Sequence, residues 1–129
     1  MIDLELGAHL VVDRGLYTHH GIWLGMDRVI HYTGEPGDMK NAEIAVTSLA
    51  EFLKGGRFKV CDYPSRFDAA EIIARAFIRL GERSYSLLNN NCEHFATWCR
   101  LGDPRSMQVE DGVDAVTQVI KSIFKKKPK

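Results

Sequence analysis

A chain of 129 residues, 45% of them apolar and 26% charged, can bury one hydrophobic core and is too short for two. That balance is ordinary for a globular protein. The formal net charge of zero is unevenly spread. Residues 121–129 hold five lysines and no acid, leaving 12 basic against 17 acidic residues elsewhere, about −5, so an acidic body with a basic tail argues against a nucleic-acid partner.

In chain order, Met1 to Gly7 includes Asp3 and Glu5 and lacks the apolar run of a secretory signal. Ala8 to Val12 is expected to form a first strand, carrying His9 without an assigned partner. Leu16 to Leu24 and Val29 to Thr33 are rich in β-branched and aromatic residues, which predicts a β-hairpin turning at Gly25-Met26-Asp27-Arg28. The hairpin carries His19, His20 and His31. Side chains alternate faces, so the loop decides the pairing. A regular two-residue turn at Met26-Asp27 sets His31 beside His20, whereas an odd-numbered loop or a bulge near Gly25 sets it beside His19. Spacing alone leaves both open.

Thr47-Ser48-Leu49-Ala50-Glu51 has a capping-box pattern and opens a short helix ending before Gly55-Gly56. Arg57 to Tyr63 alternates like a strand, with Cys61 expected to be structural, and Pro64-Ser65 breaks it. Asp68 then caps a helix running to Leu80, its expected buried face being Ala69, Ile72, Ile73, Ala76, Phe77 and Leu80, with Gly81 as its stop. A short apolar run from Tyr85 to Leu88 leads to Asn89-Asn90-Asn91-Cys92-Glu93-His94-Phe95.

This last segment sets a cysteine where a loop turns into a helix. Cys92 to Leu101 is expected to be helical, capped by the asparagines and closed by Gly102. A thiol at a helix N-terminus feels the positive end of the macrodipole, which lowers its pKa from about 8.5 and favours the thiolate, the nucleophilic form. His94, about 200° around the helix from Cys92, is expected to point away from the thiol, and Cys99 to lie in the core. Three cysteines with no Cys-x-x-Cys argue against a disulfide framework and a zinc ribbon and fit a reducing cytoplasm. Val113, Val116, Val119, Ile120, Ile123 and Phe124 recur at helical spacing before the lysine tail. Such a segment either packs on the domain or lies on an anionic membrane surface. No stretch reaches the roughly 20 apolar residues of a membrane span.

Three motifs together resemble the lecithin:retinol acyltransferase (LRAT) domain family. They are Thr18-His19-His20-Gly21-Ile22-Trp23-Leu24-Gly25, Arg28-Val29-Ile30-His31 and Asn91-Cys92-Glu93-His94-Phe95, in that order. The resemblance covers roughly residues 5–110. It implies an α+β, circularly permuted papain-like fold in which an antiparallel sheet carrying the histidines packs against the Cys92 helix. It places Cys92 on the family's nucleophile, His19 on its general base, His31 on the third member of the triad, and His20 on a variable neighbour. The domain division expected is 1–112 for the catalytic domain and 113–129 for an amphipathic helix and basic tail.

The implied activity is that of a thiol acyltransferase or hydrolase acting on acyl esters, with donors of the phospholipid type, through a cysteine thioester. Cys92 attacks the ester carbonyl while His19 carries the proton, and no cofactor or metal is called for. The His31-to-Cys92 interval is short beside the retinoid-processing animal enzymes, which makes retinol a poor guess for the substrate. Many animal relatives carry a hydrophobic C-terminal anchor that this chain departs from, so any membrane contact would be peripheral. Two other classes fit the same residues. One is a papain-like amidase or isopeptidase; the other is an inactive module, either a membrane adaptor or a zinc binder using His19, His20, His31 and Cys92.

Overall fold

A computed structural model describes residues 4–34, 39–83, 91–102 and 116–123. Five strands, β1 (His9–Asp13), β2 (Thr18–Gly25), β3 (Arg28–Tyr32), β4 (Ile44–Ser48) and β5 (Phe58–Val60), form an antiparallel sheet in the order β4-β3-β2-β1-β5. Packed with them are the helices α1 (Leu49–Leu53), α2 (Ala69–Ile78) and α3 (Cys92–Leu101). The fold is α+β.

Strand alternation splits the core into two layers. On one face Ile22, Ile30, Tyr32 and Ile44 pack against Ile72 and Ala76 of α2 and against Cys92, Phe95, Ala96 and Cys99 of α3. On the other, Leu10, Val12, Trp23 and Val29 pack against Leu49 and Phe52 of α1. Both layers exclude water at the centre of the sheet, where Leu10, Ile22, Val29 and Ile30 are fully buried. Burying such a side chain stabilises the fold by about 1.5–3 kcal/mol.

The hairpin combines the two alternatives that its sequence left open. Its turn is the two-residue Met26-Asp27, both with positive φ (51° and 62°), the twist that suits a tight hairpin. The pairing then shifts between Trp23 and Gly25: Trp23 faces Val29 while Gly25 faces Arg28. Leu24 is therefore an extra residue, a bulge that reverses the parity of everything beyond it. His19, Gly21, Val29 and His31 consequently share the Phe52 face, and His20 shares the opposite face with Ile22.

Several elements differ from the sequence reading. Leu16 and Tyr17 precede β2, and Leu16 is fully solvent-exposed. The strand expected over Arg57 to Tyr63 is confined to β5, an edge strand that pairs only with Leu10, Val11 and Val12 of β1. Helix α2 stops at Ile78, and Phe77 and Leu80, expected to be buried, are 39% and 50% exposed. Arg75, on another face of α2, is wholly buried, with its guanidinium 4.0 Å from the Trp98 ring and 4.4 Å from the Phe67 ring and its Nε–H donating to the Trp98 carbonyl at 3.1 Å. Cation–π stacking on two rings offsets part of the desolvation of the cation. Strand β4 has no counterpart in the sequence reading.

The caps follow expectation. Ser48 accepts the Glu51 N–H at 3.1 Å, and Asp68 accepts the Glu71 N–H at 2.9 Å. Residues 116–123 are helical; Thr117 is buried and Lys121 Nζ lies 3.3 Å from Asp68 Oδ2, while Val119 and Ile123 are about 60% exposed. The apolar run Tyr85 to Leu88, Asn89-Asn90, Val113 and Phe124 fall outside the described residues. No described helix is long and apolar enough to cross a membrane.

Candidate active site

Helix α3 begins as its sequence predicts. Asn91 is the N-cap: its Oδ1 accepts the His94 N–H at 3.0 Å, and the Asn91 N–H donates to His94 Nδ1 at 3.4 Å, closing a reciprocal capping box. His94 is thus a capping residue. Cys92 is the first helical residue and is 9% exposed. Cys99 lies in the core without access to solvent, and all three cysteines are free thiols.

Burial pushes the Cys92 thiol above its ordinary pKa, opposed by the main-chain N–H groups of His20, Glu93 and Cys92 itself. The helix start therefore exerts the pull expected of it, but desolvation outweighs it. At rest this is a protonated thiol that needs a base, not a preformed thiolate.

The Leu24 bulge brings His19 and His31 together on β2 and β3, Nε2 to Nδ1 at 2.8 Å with the rings nearly perpendicular. His31 Nε2 is in turn 2.8 Å from Thr47 Oγ1 on β4. The Thr47 hydroxyl donates its own hydrogen to the Ser48 carbonyl at 3.0 Å, so Thr47 accepts from the His31 Nε2–H. A neutral His31 then has a bare Nδ1, which accepts from the His19 Nε2–H. The tautomer so assigned leaves His19 with its lone pair on Nδ1. Thr47 is a member of the site that the sequence did not reveal, because its strand was not recognised and its spacing to His31 carries no motif.

Close packing holds the pair. The Phe52 ring lies 5.3 Å from the His19 ring and 5.1 Å from the His31 ring. Gly21 sits beneath: a Cβ there would come within 2.6 Å of Val29 Cγ1, 2.8 Å of Phe52 Cε1 and 3.1 Å of His31 Cβ. Only glycine lets the strands approach so closely. Both imidazoles are held well below their ordinary pKa, first by burial; the neighbouring His31 adds to the effect on His19, and the charges of Arg14 and Lys54 act on both. Desolvation dominates, and both rings stay neutral at physiological pH. Beside them a cleft of about 510 Å³ is rimmed by Arg14, Glu51 and Lys54.

His20 is neither exposed nor at the mouth of this cleft. It is 7% exposed, and both its ring nitrogens are engaged, Nδ1 with His9 Nε2 at 2.8 Å and Nε2 with Thr18 Oγ1 at 3.0 Å. The structure thus joins His19, His31 and Thr47 directly. It brings the Cys92 thiol to the main-chain N–H of His20, next in β2 to His19, from the Ile22 face of the sheet. No hydrogen bond among the described residues joins Cys92 Sγ to a His19 nitrogen. The zinc set His19, His20, His31 and Cys92 is not assembled, since His20 turns to the opposite face from His19 and His31.

A family model described as Lecithin retinol acyltransferase matches residues 2–105. Among curated relatives, the lecithin retinol acyltransferases of Rattus norvegicus and Homo sapiens are 33% and 32% identical over 143 residues, covering 89% of this chain and 62% of theirs. This chain therefore spans about three-fifths of the length of those relatives. Phospholipase A and acyltransferase 3 of Mus musculus is 29% identical over 128 residues, covering 85% of this chain and 78% of the relative. With the family model matching most of its length, the chain belongs to the lecithin retinol acyltransferase family.

Proposed function

We propose that this protein is a cysteine-dependent acyltransferase or acyl-ester hydrolase with phospholipid-type donors, built on a circularly permuted papain-like plan in residues 1–112. The observation that carries the reading is the hydrogen-bonded line Thr47–His31–His19, which, in the tautomer assigned above, leaves Nδ1 of His19 bare on the strand whose main chain Cys92 approaches. The names of the relatives, lecithin retinol acyltransferase and phospholipase A and acyltransferase, supply the substrate class. Arg14 and Lys54 at the cleft suit the phosphate of a lipid head group.

The Cys92 thiol gives its proton to His19 Nδ1 as the thiolate attacks the acyl carbonyl. Thiol and imidazole approach β2 from its two faces, and the step requires them to meet at hydrogen-bond distance when substrate binds. The tetrahedral oxyanion is held by the main-chain N–H groups of Cys92 and His20. Its collapse breaks the ester C–O bond, His19 returns the proton to the departing alcohol, and a thioester remains on Cys92. Water or a second alcohol or amine, deprotonated by His19, then releases the acyl group. His31 fixes the His19 tautomer throughout and steadies its transient positive charge. His20, with both nitrogens engaged, does not serve as the base.

Intact-protein mass spectrometry after brief incubation with a short-chain phosphatidylcholine tests this. The expected result is an acyl-mass adduct on the wild type that is absent from Cys92→Ala and His19→Ala. No adduct on a protein whose Cys92 is readily alkylated would overturn the ester-donor reading and favour amide substrates.

The same reading includes peripheral contact with an anionic membrane through residues 113–129, supported by the exposed Val119 and Ile123 beside the lysine tail. Deleting those residues should reduce sedimentation with phosphatidylserine vesicles; unchanged binding would reject the tail's role.

A further inference from the structure

On the face of the sheet away from Phe52, a second cluster of ligand-type side chains lies outside the proposed reaction. His9 Nε2 on β1 and His20 Nδ1 on β2 face each other at 2.8 Å. The outer nitrogen of each ring is anchored, His9 Nδ1 to the Tyr63 hydroxyl at 2.7 Å and His20 Nε2 to Thr18 Oγ1 at 3.0 Å. Cys61, one residue beyond β5, donates its N–H to the His9 carbonyl at 2.8 Å, and its Sγ and the two imidazoles offer ligand atoms all within 4.8 Å of one another.

We propose that His9, His20 and Cys61 form a binding site for a zinc-class divalent ion, clamping β1, β2 and the end of β5 together.

Three features support it. Two imidazoles and a thiolate are a donor set that borderline-soft ions prefer over magnesium or calcium. In zinc sites a ligating histidine holds its orientation through its other nitrogen, and Tyr63 and Thr18 stand where such outer partners stand. At a tetrahedral zinc, bonds of about 2.0–2.3 Å put ligand atoms about 3.3–3.7 Å apart. Opening the 2.8 Å imidazole pair by about half an ångström and drawing Sγ in by about one satisfies that geometry. A cleft of about 420 Å³ reaches Cys61 and Tyr63 from solvent, so the cluster is approached from its Cys61 side.

The surrounding charges divide. The Glu93 carboxylate acts on both His20 and Cys61 and favours a cation; Arg100 acts on His9 and Cys61 and opposes it. The terminal nitrogens of the Arg100 guanidinium are held by the Gly7 and Tyr63 carbonyls at 2.8 and 2.9 Å.

The proton balance is explicit. Without metal, one proton sits between the two facing nitrogens. On binding, that proton shifts to the outer nitrogen of the ring that carried it, His9 Nδ1 against the Tyr63 oxygen or His20 Nε2 against Thr18 Oγ1, and the Cys61 thiol releases its proton to solvent. Each ion therefore displaces one proton.

The test is titration of chelator-treated, full-length protein with Co²⁺ read by absorption, and with Zn²⁺ read by bound-metal analysis. One ion per chain is expected, with a thiolate-to-cobalt charge-transfer band. Cys61→Ser and His9→Gln should each weaken binding by roughly a hundredfold or more, and Thr18→Val, which removes only an outer partner, by about tenfold to a hundredfold. Cys92→Ala should retain both stoichiometry and band. Circular dichroism of each variant separates loss of a ligand from loss of the fold, and the exposed Thr18 position gives a readout that does not depend on core substitutions. The proposal is overturned if the wild type shows no thiolate band, if Cys61→Ser and Thr18→Val bind as the wild type does, or if Cys92→Ala alone abolishes binding.

Discussion

Replacing Thr47 by valine keeps the shape of the side chain and removes the oxygen that accepts the His31 Nε2–H at 2.8 Å. His31 then has two recourses. It can keep the proton on Nε2, buried and without a partner, at a cost of about 1–3 kcal/mol. It can instead move the proton to Nδ1, where the Tyr32 carbonyl lies 3.3 Å away. That proton would oppose the one on His19 Nε2 and drive the His19 hydrogen to Nδ1, the atom that must be bare to take the thiol proton. Either way the competent tautomer is disfavoured by about 1–3 kcal/mol, which at about 1.4 kcal/mol per factor of ten is a loss of roughly tenfold to a hundredfold in Cys92 reactivity. The assay is the rate of Cys92 alkylation by iodoacetamide across neutral pH, followed by peptide mass spectrometry to separate it from Cys61, together with acyl-adduct formation. Thr47→Ser keeps the hydroxyl and should stay within about threefold of the wild type, given that only a methyl contact is lost. A Thr47→Val protein reacting within twofold of the wild type, while His31→Gln is slow, would refute the role assigned to Thr47.

Two further predictions concern stability. Gly21→Ala would force a methyl to 2.6 Å from Val29 Cγ1 and 2.8 Å from Phe52, and the overpacking should cost about 1–3 kcal/mol. A denaturant midpoint corresponding to less than about 0.5 kcal/mol, the usual scale of surface substitutions, would contradict the close approach. Burial holds His31 near pKa 4 in the folded protein against 6.5 in the unfolded chain, so the unfolded state binds more protons between those values. Its contribution is intact above about pH 6.5, falls as pH drops toward 4 and levels off below, a loss on the order of 3 kcal/mol. Stability measured by urea unfolding should decline across that window and decline less steeply in His31→Gln; equal slopes in the two proteins would count against it.

Local signals determined much of this protein. Asn91, Cys92 and Gly102 delimit α3 because caps and helix stops act within a turn of chain. Ser48 and Asp68 start α1 and α2 for the same reason. The antiparallel hairpin, the helical cysteine and the family to which the chain belongs were all legible in three short motifs. Tertiary structure decided what depends on pairing and burial. Whether His31 meets His19 or His20 turns on the Leu24 bulge, a one-residue shift in register that alternation of residue types does not encode. Phe77 and Leu80 have the periodicity of a buried face yet are exposed, while Arg75, polar by sequence, is buried because the rings of Phe67 and Trp98 come together in the fold to receive it. Thr47 and the cluster of His9, His20 and Cys61 arise from strands brought together by the sheet. The thiol's resting state follows the same division: the helix start that pulls its pKa down is written in the sequence, but the burial that outweighs it exists only once the sheet and helices have packed.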